Sequence, residues 1–198
     1  MKKLLILILL PIIFVFAQNE LPLKTFFGLQ TGINHSNFDP DDGAGNYSGL
    51  GFQIGLGMGM EFSQLFGIQI TPMFKTTAFD RTVLNIEMGA DYNNFYLPIV
   101  FQLKAGMLPV APYLGLGFAG NFQLGGTAYI GSIKNSIDDL ENDFLFLFSF
   151  GTDFKLVKAK ITPEFSFNYN LTADDPDTQN RSENNYDFHF SLGIFYTP

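Results

Sequence analysis

Along most of this chain a large apolar residue is followed by a small or polar one, and the alternation then repeats. From Leu50 the apolar set is Leu50, Phe52, Ile54, Leu56, Met58, Met60 and Phe62, alternating with Gly51, Gln53, Gly55, Gly57, Gly59 and Glu61. Phe144, Phe146, Phe148 and Phe150 keep the same spacing, as do Ile161, Pro163, Phe165, Phe167 and Tyr169 against Thr162, Glu164, Ser166, Asn168 and Asn170. A last run sets Tyr186, Phe188, Phe190, Leu192, Ile194 and Tyr196 against Asp187, His189, Ser191 and Gly193. Successive side chains of a strand point to opposite faces, so a period of two predicts strands with one apolar face. Weaker copies begin at Phe27, Ile68, Phe95 and Leu114, which makes eight segments. Most are close to the roughly 9–11 residues a tilted strand needs to cross a bilayer.

The connections alternate as well. Tight ones fall near Ser63-Gln64, at Gly106-Met107-Leu108-Pro109 and at Leu156-Val157. Long polar ones run from Ser36 to Tyr47, Thr77 to Asn93, Gln123 to Asp143 and Thr172 to Asn185. Short turns at one end and long loops at the other predict an all-β, eight-stranded antiparallel up-and-down transmembrane barrel, with the short turns in the periplasm. The segment Gly120 to Gly131, Gly-rich and apolar, predicts a strand continuing above the membrane as a hairpin with Thr127-Ala128-Tyr129-Ile130.

Composition decides which face is which. Of 198 residues 24 are Phe and 20 Gly, and only 15% are charged. A soluble surface carries about 25–35% charged residues, whereas these strands carry roughly one charge each. The Phe face therefore meets lipid, and the Gly, Ser and Asn face fits a narrow lumen that side chains just about fill at eight strands. Closure removes the edges that lipid could not satisfy. With no Cys there is no disulfide framework, thiolate metal site or thiol nucleophile. A net charge of -8 and a pI near 4.5 argue against nucleic acid as a partner.

Lys2 and Lys3 precede an apolar run from Leu4 to Phe16 that ends on Val15-Phe16-Ala17. This predicts a secretory signal peptide over 1–17, cut after Ala17, with the barrel domain over 18–198. The run is too short for a spanning helix, which needs about 20 apolar residues. Removal of the two lysines leaves 9 basic against 19 acidic residues, or -10.

Three short stretches resemble known barrels: Tyr96-Leu97-Pro98-Ile99-Val100, Pro112-Tyr113-Leu114-Gly115-Leu116-Gly117 and the closing Phe190-Ser191-Leu192-Gly193-Ile194-Phe195-Tyr196. The chain resembles the small outer-membrane barrels of the OmpA/OmpX type, and more closely the PorT-like barrels of Bacteroidota-type bacteria. The resemblance spans the whole mature chain and implies an outer-membrane location. It also implies contact with membrane lipid and lipopolysaccharide, and with the barrel-assembly machinery during biogenesis. An extracellular or envelope protein partner, as in a PorT-like accessory role in secretion, is a further implication. Thr197-Pro198 follows the last aromatic residue, Tyr196, whereas the assembly signal of such barrels usually ends on an aromatic.

The candidate chemistry lies on the inner parity: Glu61, Lys75, Lys104, Asp153, Lys160, Glu164, Asp187 and His189. Counted from the short turns, Glu61, Lys104, Asp153 and Lys160 lie near the periplasmic end, with Lys75, Glu164, Asp187 and His189 higher. Two roles fit: a charge-paired plug, or a gated path for ions or small solutes. Unpaired buried charge is strongly disfavoured, so pairing is expected in either. His189 and Ser191, two apart on one strand, match a pattern used by some outer-membrane lipid deacylases, but both face away from lipid and lack a third member. The expectation is therefore a non-enzymatic barrel without cofactors. His35 has no metal-ligand spacing with any other residue.

Fourteen of the 19 acids, including Asp80, Glu87, Asp91 and Asp143, fall in the long loops or at their edges. Asp39, Asp41 and Asp42, and likewise Asp174, Asp175 and Asp177, are oxygen-rich enough to hold Ca²⁺ weakly, without the full spacing of a calcium loop. No phosphate-binding loop, HExxH or nucleophile elbow is present. The leading expectation is a structural, surface-interaction or envelope-accessory protein. A narrow pore is the alternative, and a lipid-modifying enzyme the third.

Overall fold

The computed structural model describes residues 23–39, 47–83, 86–105, 109–137, 142–172 and 184–198. The predicted signal peptide lies outside them, as do the acids at 41, 42, 174, 175 and 177; of Asp39 only the backbone is described. The strands are β1 (Lys24–Asp39), β2 (Tyr47–Glu61), β3 (Phe66–Ile70), β4 (Met73–Val83), β5 (Ile86–Lys104), β6 (Val110–Ile130), β7 (Ile133–Ile137), β8 (Asn142–Lys155), β9 (Ala159–Asn170) and β10 (Asn184–Tyr196). All neighbouring pairs are antiparallel, and β1 pairs β10 from Phe27↔Tyr196 to Asp39↔Asn184, which closes the sheet. β3 and β4 are one wall strand interrupted at Thr71-Pro72, where a proline cannot donate to the ladder. Counting them once, and setting aside the short β7, the ring has eight strands.

The inside-outside alternation follows the sequence period. On β2 the apolar residues Leu50 to Met60 are exposed, while Gln53 and Glu61 are buried in the lumen. On β9, Thr162, Glu164, Ser166, Asn168 and Asn170 are buried. The exposed apolar face is tied together across strands by aromatic pairs: Phe150–Phe165 at 5.2 Å, Phe167–Phe188 at 5.3 Å, and the stacked Phe118–Phe144 at 5.4 Å between centroids. Such pairs are the unit of sheet stabilisation, and here they form the lipid-facing band. At Gly28 the wall is closely approached: a Cβ there would lie 2.0 Å from the Ile194 carbonyl oxygen and 2.6 Å from Phe195 Cα.

Of the four segments expected as long polar loops, two, 77–93 and 123–143, are largely strand among the described residues, while most of the other two lies outside the described residues. β4 runs on to Val83 and β5 starts at Ile86, paired from Thr77↔Tyr92 to Val83↔Ile86. β6 reaches Ile130, turns at Gly131 (φ 57°) and returns as β7, pairing Ile130↔Ile133 to Gly126↔Ile137. The strand does continue as a hairpin, but residues 127–130 lie on its first arm and 133–137 form the second, where the sequence pattern made 127–130 the partner. At 19 and 21 residues, β5 and β6 are about twice the length a bilayer demands. The polar composition that suggested loops is that of a sheet in water. It is held by cross-strand contacts such as Phe79–Tyr92 (6.1 Å) and the Tyr129 hydroxyl donating to Asp80. That bond to a carboxylate pushes the Tyr129 phenol above its ordinary range.

Candidate functional site

All eight charged residues read from the sequence lie on the lumen side and are buried. They form two groups at different heights, and Glu164 stands apart from both.

The lower group closes the short-turn end of the lumen. Lys104 on β5 donates to Glu61 on β2 (2.7 Å) and to Asp153 on β8 (2.6 Å), so one ammonium ties strands from opposite sides of the ring. Lys160 approaches Asp153 at 3.5 Å and Glu61 at 4.0 Å. Its ammonium sits 3.4 Å above the Phe26 ring centre and 5.0 Å from that of Phe195. Thr162 donates to Asp153 Oδ1 at 2.8 Å, the oxygen that Lys160 approaches, while Lys104 takes Oδ2. Lys155, at the end of β8, donates to Glu61 at 3.0 Å. Three cations therefore meet two carboxylates.

Above this lies a layer of amides. Gln102 donates to Gln69 (3.3 Å), Gln69 to Gln30 (2.9 Å), and Gln30 to Ser191 (2.8 Å). Glu164 is held here by the Tyr113 hydroxyl at 2.6 Å and more distantly by Gln30 at 3.5 Å. The sequence set Glu164 at the same level as Lys75 and His189, but the carboxylate engages neither. A Cβ on Gly115 would come 2.2 Å from Ser149 Oγ and 2.7 Å from Val100 Cγ1, so the lumen is filled at this height.

The third layer joins opposite walls directly. Met73, Tyr96, Val100, Ala119, Leu145 and Leu147 form a buried apolar cluster inside the barrel. From β5, Tyr96 reaches across to donate to Asn168 on β9 (3.0 Å) and to set its ring edge-on to His189 on β10 at 5.3 Å. In an eight-membered ring β5 and β10 are diametrically opposed. Lys75 on β4 pairs with Asp187 on β10, and His189 lies 3.6 Å from the same carboxylate. Ser191 is engaged by Gln30 while His189 faces Asn168 and Asp187, so no Ser–His couple forms.

Over this layer the barrel opens into a half-enclosed cavity. Its wall carries Lys75, Asn94, Asn121, Asp143 and Asp187 together with the aromatic side chains of Phe79, Tyr92 and Tyr186. Asp143, one of the acids assigned to the loops, belongs to β8 and accepts from Asn170 (2.9 Å) and Asn121 (3.3 Å). His35 stands on β1 opposite Leu50 and Phe188. Among the described residues no cluster of His, Cys, Asp and Glu has the makings of a metal site.

The sequence period gave no warning of the apolar layer, Tyr96, Tyr113, Lys155 or the ring pair Phe26–Phe195 (5.3 Å) around Lys160. A signal was present nonetheless. Phe144-Leu145-Phe146-Leu147-Phe148 is apolar on both parities, and a bulky residue on the inner parity must fill the lumen.

Comparison with known proteins agrees with this architecture. OprG, an outer membrane protein of Pseudomonas aeruginosa, matches with a TM-score of 0.54 at 14% identity, over 88% of this chain and 96% of that one. Neisserial surface protein A matches with a TM-score of 0.52 at 14% identity, over 86% and 96% respectively. At that identity the likeness is one of fold. No curated protein sequence matches the chain. A family model described as "Outer membrane protein beta-barrel domain" matches residues 5–195, nearly the whole sequence. The chain is a small outer-membrane β-barrel and belongs to the outer membrane protein beta-barrel domain family.

Proposed function

We propose that this barrel is a closed-lumen membrane scaffold that acts from its outer end, as a surface-interaction or envelope-accessory protein rather than a conduit or an enzyme. In this reading residues 1–17 are the signal peptide and 18–198 the working domain. The observation that carries it is the contact of Tyr96 with His189 and Asn168 across the full width of the lumen. The Lys104–Glu61–Asp153 tie below it acts in the same sense. A water path for ions would have to cross both. Above them, the sheet formed by β4, β5, β6 and β7 extends beyond the length a membrane requires and carries exposed Asp80, Glu87 and Asp91. That surface is what a partner from outside would meet. A PorT-like role in secretion is the version suggested by the three matching stretches. The inward placement of His189 and Ser191, each bound to other groups, supports a non-enzymatic role.

The absence of cysteine makes a direct test simple. Thr77→Cys, in the outer cavity, should react with a membrane-impermeant maleimide on intact cells, whereas Ser149→Cys, fully buried in the lumen, should not. Comparable labelling of both positions would overturn the closed-lumen reading.

A further inference from the structure

In the outer cavity four donor groups each have a partner within the wall. The Lys75 ammonium is on Asp187, the Asn121 amide nitrogen on Asp143, the Asn94 nitrogen on Thr77 (3.2 Å), and the Asn168 nitrogen on His189 (3.0 Å). Acceptors are left over. The side-chain carbonyl oxygens of Asn94 and Asn121 have no hydrogen-bond partner, although these residues are only 1% and 9% exposed. The orientation of Asn121 follows from its neighbour: a carboxylate only accepts, so the amide nitrogen must face Asp143 and the oxygen must point elsewhere. An orphaned buried acceptor is penalised, and a ligand N–H would relieve that penalty.

Charge and shape point the same way. Lys75 is set against Asp143 and Asp187, so the wall carries one net negative charge. Phe79, Tyr92 and Tyr186 add aromatic surface to it, and ring faces attract organic cations. The acidic outer segments would raise the local concentration of cations further. An ammonium has donors alone, which is what the two unpartnered carbonyl oxygens accept.

We propose that the outer cavity binds a small organic ammonium ion, with the Asn94 and Asn121 carbonyls and Asp143 accepting its N–H groups and Phe79 and Tyr92 covering its aliphatic part. This rests on the reading that the lumen is closed below the cavity, since a closed floor makes it a site rather than a passage. The probe is 1,4-diaminobutane, titrated calorimetrically into the refolded barrel in detergent at fixed ionic strength, with neutral 1,4-butanediol as control. Saturable binding of the diamine is expected, at least about tenfold tighter than the diol and weakened about tenfold by Asn121→Leu. Asn94→Leu serves as the second variant, and heat-shifted gel mobility verifies that each variant is folded. No saturable binding, equal binding of the diol, or unchanged affinity in both folded variants would overturn the proposal. Because binding is read in micelles, its failure leaves the closed lumen standing, and conductance with intact binding would overturn only the closed lumen.

Discussion

Removing Asp153 should hurt the barrel more than removing the lysine it holds. The five charges at the short-turn end are Lys104, Lys155, Lys160, Glu61 and Asp153, one net positive. Asp153 is completely buried and receives Lys104 at 2.6 Å, Lys160 at 3.5 Å and Thr162 at 2.8 Å. Asp153→Asn leaves three ammonium groups facing one carboxylate. Breaking a buried pair in this way costs about 3–5 kcal/mol, because the charge left behind is uncompensated. Lys104→Met instead leaves two cations and two anions. Glu61 keeps Lys155 at 3.0 Å, Asp153 keeps Lys160, and the methionine fills much of the volume. Its cost should be about 1.5–3 kcal/mol, near the net worth of a charged hydrogen bond. The double variant removes one charge of each sign, so its loss should fall short of the sum by about 1–3 kcal/mol. The assay is urea unfolding of barrels refolded into phospholipid vesicles, with the folded fraction read from the mobility of unheated samples. If Lys104→Met costs as much as Asp153→Asn, or if the two losses simply add, the charge-balance reasoning fails.

Other outcomes follow from the same geometry. Phe148→Arg puts a cation on the lipid-facing band beside Leu116 and Phe167, and should lose about 2–4 kcal/mol in the same titration if that position is at the midplane; a neutral effect would mean the faces are reversed. Gly28→Ala forces a Cβ against the Ile194 carbonyl, so a loss of about 1–3 kcal/mol is expected, and an unchanged urea midpoint would count against the close β1–β10 approach. Glu164→Gln should couple to Tyr113→Phe by at least about 0.5 kcal/mol in a double-mutant cycle while adding independently with Lys75→Met; the opposite pattern would make Lys75 rather than Tyr113 its partner.

The wall of the barrel was legible because a strand reports its two faces separately. One register error would have moved Phe52 inside and Gln53 out. The period also placed Glu61, Lys75 and Asp187 inside, and counting from the short turns gave their levels, but neither says which strands oppose each other. Lys75–Asp187 and Tyr113–Glu164 join residues 112 and 51 positions apart, and such pairings depend on the shear of the closed ring. The inner apolar cluster was hidden for a different reason: Leu145 and Leu147 alternate with phenylalanines, so both faces of β8 look like its lipid face. Polar composition at the tops of β4, β5 and β6 suggested loops, because a sheet standing in water has no apolar stripe to announce it.

The central claim is that opposite walls meet inside this barrel, and electrical conductance of the refolded protein in a planar bilayer tests it most directly. Protein shown to be folded by its heat-shifted mobility should insert and remain silent across the voltage range, with Tyr96 and Lys104 still bridging the lumen. Discrete, reproducible current steps from the unmodified protein would show a continuous water path and contradict the account.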